Sequence, residues 1–172
     1  IKAGKILVDK KPRKDPKFPV GLMDIVEIPE NKKHYRASRN KNGLFLGEIN
    51  GEDAVEKLCR INNKKTIKGG LHQLNLHDGR NILTENNGYK TWDTVKVSLP
   101  EQSIQEHISL KIGSHALIVD GKNKGFEGEI VNISKRTSMT GKNTVTLETH
   151  TGKIETLQDY IFVIKENKTS KK

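Results

Sequence analysis

A mainly β chain built from small domains (α+β overall) is what this sequence predicts, and three observations carry the prediction. Short apolar runs recur along the chain, each bounded by Gly, Pro, Asn or Asp, as strands separated by turns would be. Only 33% of the 172 residues are hydrophobic and 30% are charged, which is little for a single well-filled core and suits two or three modest ones. One stretch alone, after Gly51, reads as an internal helix.

The elements follow in order. Ile1 to Gly4 (IKAG) looks like the end of a helix closed by glycine. A helix needs more residues than that, and the chain starts at Ile1 without a methionine, so a fragment or a missing N-terminus is expected. Lys5 to Asp9 (KILVD) is a short strand and DKKP a turn. A basic extended stretch, RKDPKFP, follows, where Pro12, Pro16 and Pro19 exclude regular helix. Asp24 to Ile28 is a strand, and Pro29 to Gly43 reads as a linker or an exposed hairpin with Tyr35 its one aromatic. Leu44 to Ile49 returns to strand. Gly51, Glu52 and Asp53 open the helix with acids in its first turn, and Ala54, Val55, Leu58 and Cys59 fall on one face of it. That spacing makes Cys59 a small core residue. Asp78–Gly79, inside Leu71 to Leu83, is a hairpin signal, and Trp92 to Leu99 alternates as a half-buried strand.

Gly113 to Ile133, GSHALIVDGKNKGFEGEIVNI, is the most informative stretch. Leu117, Ile118 and Val119 read as one buried strand, and Ile130, Val131 and Ile133 as its partner. Between them, Gly121, Gly125 and Gly128 permit positive φ or close backbone approach, leaving Lys122 and Lys124 at an exposed tip. Spacing alone fits an ordinary basic hairpin equally with the KOW motif, a strand-loop-strand unit of RNA-binding, ribosomal and polymerase-associated proteins, which this stretch resembles. Thr144 to Thr149, Gly152 to Leu157 and Tyr160 to Ile164 supply three further strands, and the tail KENKTSKK is too polar to pack.

Charge narrows the partners. The net charge is +10, unevenly placed. Residues 1–41 hold twelve Lys/Arg against five Asp/Glu (+7), residues 42–110 eight against nine (−1), and residues 111–172 eleven against seven (+4). Basic ends around a neutral middle point to a polyanion met outside the middle segment. No apolar run is long enough to span a bilayer and no basic amphipathic helix is evident, so no membrane partner is expected. One cysteine excludes an internal disulfide and fits a reducing compartment, so a cytoplasmic protein is expected. His72, His77 and Asp78 form no proton-transfer constellation, since Asp78 is explained as turn chemistry and no nucleophile sits at a recognisable elbow. The six histidines and the cysteine lack zinc spacing, and Gly69–Gly70 lacks the context of a phosphate loop. No catalytic residue, metal, cofactor or small-molecule substrate is expected.

The N-terminal KAGKILVDKKPRKDPKFPVGLMDIVEI resembles the C-terminal part of the alpha-L RNA-binding domain named after ribosomal protein four. From there the words EKLCRINN, HDGR, the KOW loop and YIFVIK follow in order. Over Ile1 to about Lys165 that order resembles the e-type family of ribosomal protein four, of the archaeal and eukaryotic small subunit. The resemblance implies an alpha-L remnant at 1–30, a central β-rich domain with one short helix at 31–109, an SH3-like KOW barrel at 110–165, and a disordered basic tail at 166–172. It implies an archaeal source, because the chain stops soon after IFVI without the long basic extension of eukaryotic members.

The same resemblance makes Lys2, Lys5, Lys10, Lys11, Arg13 and Lys14 the surviving part of a basic RNA-binding face. Lys17 extends that cluster, and Lys122, Asn123 and Lys124 form the second candidate contact, in the loop. The implied function is a structural constituent of the small ribosomal subunit, on the ribosome in the cytoplasm, with ribosomal RNA and neighbouring ribosomal proteins as partners. Phosphate neutralisation and shape recognition would carry such binding. Aromatics are only 5% of the chain, and Tyr35, Tyr89 and Trp92 read as packing residues, so stacking on single strands does not dominate. Two rivals share parts of the pattern. One is a KOW-containing transcription-elongation or RNA-processing factor; the other is an RNA-modifying enzyme, for which the central segment is too short.

Overall fold

The computed structural model describes residues 1–135 and 141–166 as fifteen strands joined by short turns and three single 3-10 turns. The residues divide into two units, Ile1–Cys59 with Val95–Glu106, and Arg60–Thr94 with the described residues from His107 onward.

The first unit opens with β1 (Ile6–Val8) and β2 (Lys11–Arg13), paired antiparallel so that Val8 faces Lys11. Asp9 and Lys10 between them both take left-handed backbone (φ 49° and 65°), the conformation that a two-residue hairpin matched to strand twist requires. The basic stretch after Asp9 is therefore partly strand. β3 (Ile25–Ile28), β4 (Lys33–Asn40) and β5 (Gly43–Ile49) complete an antiparallel sheet in the order β2-β1-β3-β4-β5. Of the two expectations for Pro29 to Gly43, the hairpin is what forms, β4 pairing β5 from His34–Ile49 to Asn40–Gly43. Residues 1–4 form a turn in which the Gly4 N–H donates to the Ile1 carbonyl at 2.8 Å.

The internal helix shrinks to one 3-10 turn, Asp53–Val55, and the chain continues as the eleven-residue strand β6 (Glu56–Thr66). Ala54, Leu58 and Cys59 are buried as expected, but Leu58 and Cys59 lie on a strand. The cause is that Lys57, Leu58 and Cys59 are all buried in succession, so this part of β6 is covered on both faces. A strand covered on both faces shows no alternation, and periodicity cannot separate it from a helical stripe. Residues 56–59 belong to the first unit together with 95–106, which carry most of β9 (Thr94–Ser98) and the start of β10 (Ile104–Ile108). Ile25, Ala54 and Leu99 pack there as one core cluster. β10 carries apolar residues only at its ends, so nothing in its sequence marked it as a strand.

Lys57 is the unusual member of this core. It is 1% exposed, and its Nζ donates to Asp9 Oδ2 at 2.9 Å and to Asp24 Oδ1 at 2.6 Å. Asp9 Oδ1 also accepts from the Ile25 N–H at 3.0 Å, and Asp24 Oδ2 from the Gly21 N–H at 2.7 Å. Each carboxylate thus has a second donor, which is what makes a buried ion group tolerable.

In the second unit, the remainder of β6 pairs β7 (His72–Leu76), and β7 pairs β8 (Asn81–Thr84) across the Asp78–Gly79 turn, with Gly79 at φ 86°. Five more strands, β11 (Ser114–Ile118), β12 (Glu127–Ser134), β13 (Thr144–Thr149), β14 (Gly152–Leu157) and β15 (Ile161–Glu166), form an antiparallel sheet in the order β14-β13-β12-β11-β15, the strand set of an SH3-like barrel. Its core is Ala116, Leu117, Ile118, Ile130, Val145, Leu147, Ile161, Phe162 and Val163. Arg60 reaches into this unit's C-terminal part. Its Nη1 donates to the carbonyls of Asp159 (2.8 Å) and Ile161 (3.0 Å), and its guanidinium lies 5.1 Å from the Trp92 ring centre. Burial pushes the Arg60 pKa down, with the Asp159 charge opposing. Apart from Glu166, which ends β15, the tail expected to be disordered lies outside the described residues.

This packing makes two stability effects measurable. Lys57→Met leaves Asp9 and Asp24 without their shared cation, so urea unfolding should show a loss of about 3–5 kcal/mol, the usual cost of breaking a buried ion group. Gly128 lies on β12, where an added Cβ would sit 2.3 Å from the Glu148 carbonyl oxygen of the facing strand. Backbone cannot swing aside as a side chain can, so Gly128→Ala should destabilise by about 1–3 kcal/mol and lower the thermal midpoint.

Candidate nucleic-acid interface

The N-terminal candidates occupy the β1–β2 hairpin and the segments on either side of it. Lys2, Lys11, Lys14 and Lys17 are exposed, and none has an ion-pair partner among the described residues. Lys5 is exposed and bridges Glu30. Lys10 is held differently, its Nζ 2.8 Å from Oε1 of the buried Glu27, whose other oxygen lies 3.5 Å from His34 Nδ1. That pairing offsets part of its charge, so Lys10 offers a phosphate less than its sequence position implied. Arg13 is half-buried with its guanidinium 3.9 Å from the Phe18 ring centre, a cation–π contact that fixes the side chain. Four exposed lysines with no acidic partner among the described residues, in the same stretch of chain as the stacked Arg13, offer charge to several phosphates.

The same sheet also presents a groove of different character. Ile6, Val8, Val26, Ala37, Leu44 and Leu46 line a groove of about 310 Å³ with Phe18 at its rim, and Leu44 and Leu46 are 52% and 50% exposed. Its lining is apolar except for Arg13 and Asp15, and no lysine among the described residues lines it, so the lysines offer their charge outside it.

The second candidate lies in the second unit. Gly121 and Gly125 take φ of 82° and 84°, and the Gly125 N–H donates to the Ile118 carbonyl at 2.7 Å, closing the loop between β11 and β12. The left-handed glycines and the close approach at Gly128 match the sequence reading of all three. Lys122 is exposed at the tip, and Asn123 and Lys124 are half-buried; none of their side chains has a partner among the described residues. The Tyr160 ring packs against Gly121, 3.0 Å from where a Cβ would stand.

Sequence reasoning stopped at the tip and missed what stands beside it. Gly121, Lys122 and Asn123 form one wall of a cleft of about 340 Å³, and Thr144, Glu155, Thr156, Leu157 and Tyr160 form the rest. These residues come together only through the β13–β14 register, in which Thr144 faces Leu157 and Val145 faces Thr156. The one available signal was the nearness of Tyr160 to the IFVI run, which brings the end of the chain back to β11.

Residues 1–26 match the S4 domain, 31–104 the ribosomal family S4e, and 112–148 the KOW motif. The small ribosomal subunit protein eS4 of Methanothermobacter thermautotrophicus is 48% identical over 95% of this chain and 68% of its own length. That of Methanocaldococcus jannaschii is 44% identical over 95% of this chain and 70% of its own. The crystal structure of the 30S ribosomal protein S4e from Thermoplasma acidophilum superposes with a TM-score of 0.82 at 32% identity, covering 96% of this chain and 83% of that one. Matches of that identity and extent, spread across the whole order of elements, show that the chain belongs to the ribosomal S4e family.

Proposed function

We propose that this protein is a structural constituent of the small ribosomal subunit, holding ribosomal RNA through two basic surfaces and performing no reaction of its own. The observation that carries the reading is the extent of the likeness. Relatives 48% and 44% identical over 95% of the chain are named as small-subunit proteins. The chemistry agrees with it, since lysines with no acidic partner among the described residues (Lys2, Lys11, Lys14 and Lys17 in the first unit, Lys122 at a loop tip of the second) are exposed to meet phosphates. In this reading Lys2, Lys5, Lys11, Arg13, Lys14 and Lys17 position the N-terminal module (1–30) on RNA phosphates. Lys10 assists from its pairing with Glu27. The central module (31–109) faces neighbouring ribosomal proteins, and the KOW module (110–165) contacts RNA through Lys122, Asn123 and Lys124. The protein acts in the cytoplasm on the ribosome, without cofactor or small-molecule substrate.

The purified full-length protein should sediment with small subunits in moderate salt, and recovery of RNA polymerase in their place would favour a transcription role. Replacing Lys11, Lys14 and Lys17 together by alanine should weaken binding to structured RNA of any sequence. The log–log slope of affinity against salt should become shallower by about one for each phosphate that is no longer neutralised. A slope unchanged by the triple substitution would remove this segment from the interface.

A further inference from the structure

The cleft beside the KOW loop gathers polar side chains that have no partner within the described residues. Its neighbours are paired: Lys142 Nζ lies 3.1 Å from Asp159 Oδ2, and Asn143 Nδ2 donates to Gln158 Oε1 at 2.9 Å. The cleft's own polar side chains (Lys122, Asn123, Thr144, Glu155, Thr156 and Tyr160) have no hydrogen-bond or ion-pair partner among the described residues. Six such side chains converge on one concavity of about 340 Å³, with one cation on the loop and one carboxylate on β14. Small-ligand sites begin at about 300 Å³, so a single nucleotide is within the size the cleft admits.

We propose that this cleft is a base-reading site for one unpaired guanine nucleotide of an RNA, its phosphate on Lys122 and its base edge on Glu155. The inference rests on the RNA-binding reading above and deepens it, from phosphate contact at the loop tip to recognition of a base. An ionised carboxylate only accepts hydrogen bonds. Guanine presents two adjacent donors on its Watson–Crick edge, N1–H and the exocyclic amino group. Adenine and cytosine each set an acceptor nitrogen beside their single amino group, and uracil flanks its one N–H with carbonyl oxygens. A carboxylate therefore pairs bidentately with guanine and meets a repelling lone pair in each of the others. Asn123, Thr144 and Thr156 supply the mixed donors and acceptors that the remaining edges and the ribose hydroxyls need. Such reading requires the base to be out of a helix, as it is in a bulge, loop or strand end.

The test uses the isotope-labelled full chain, followed by amide NMR shifts on titration with GMP, AMP, CMP and UMP, and in parallel with a short RNA duplex. GMP should shift the amides of residues 121–124 and 155–157 at lower concentration than the other three nucleotides. Glu155→Gln keeps the shape but replaces one acceptor with an amide donor, and should weaken GMP about tenfold while strengthening UMP, whose N3–H and neighbouring carbonyl an amide can pair. Lys122→Ala should weaken all four alike. If the four nucleotides act equally, or none acts, while the duplex still binds, the cleft is no base site and the RNA-binding reading stands. If neither nucleotides nor duplex bind, both fall.

Discussion

The first unit depends on one buried ammonium. Lys57 leaves water almost completely, and the two carboxylates that receive it come from Asp9, in the turn of the first hairpin, and Asp24, just before β3. Removing three charges from water costs several kcal/mol each unless every lone pair is used. Here the backbone N–H groups of Ile25 and Gly21 complete the set. The result is positional. The left-handed turn that throws Lys11 outward is held from inside the core by the same Asp9 that anchors β3. The ion group thus ties the backbone turn of the first hairpin to the core, and a backbone already held in place loses less entropy on meeting phosphates than a mobile one.

Much of the architecture was legible in the chain, and the failures share a cause. The glycines of the KOW loop, the Asp78–Gly79 hairpin and the alternating strands state local backbone needs, and local needs can be read from local residues. The strand β6 could not be read this way, because the burial of Lys57 beside Leu58 and Cys59 is made tolerable by acids 33 and 48 residues away. A buried lysine has no sequence signature at all; by type it belongs to the surface. The same reasoning explains the site. The exposed lysines at 11, 14, 17 and 122 were visible as charge, whereas the partner of Lys10 and the cleft around Glu155 and Tyr160 exist only through strand register.

Charge is arranged to leave a usable surplus. Several cations are neutralised within the molecule: Lys5 by Glu30, Lys10 by Glu27, and Lys96 by Glu56 and Glu106, whose hydrogen bonds raise its pKa. Among the described residues, unpaired exposed lysines remain at the N-terminal edge (Lys2, Lys11, Lys14, Lys17) and at the loop tip (Lys122), and others, such as Lys65 and Lys68, are spread over a middle segment whose net charge is close to neutral. The net positive charge, by contrast, is concentrated at the two ends of the chain.

Arg60 has a consequence for how the molecule is made. Its guanidinium holds the carbonyls of residues 159 and 161, some 99 and 101 positions further along the chain. On the ribosome that synthesises it, the middle of the chain emerges long before those carbonyls exist. The arginine's buried donors therefore stay in water until the last strand is delivered. Contacts of such sequence separation are late and slow to close. The second unit is accordingly completed from its far end, and a chain cut short before residue 159 would lack the acceptors that seat Arg60 beside Trp92.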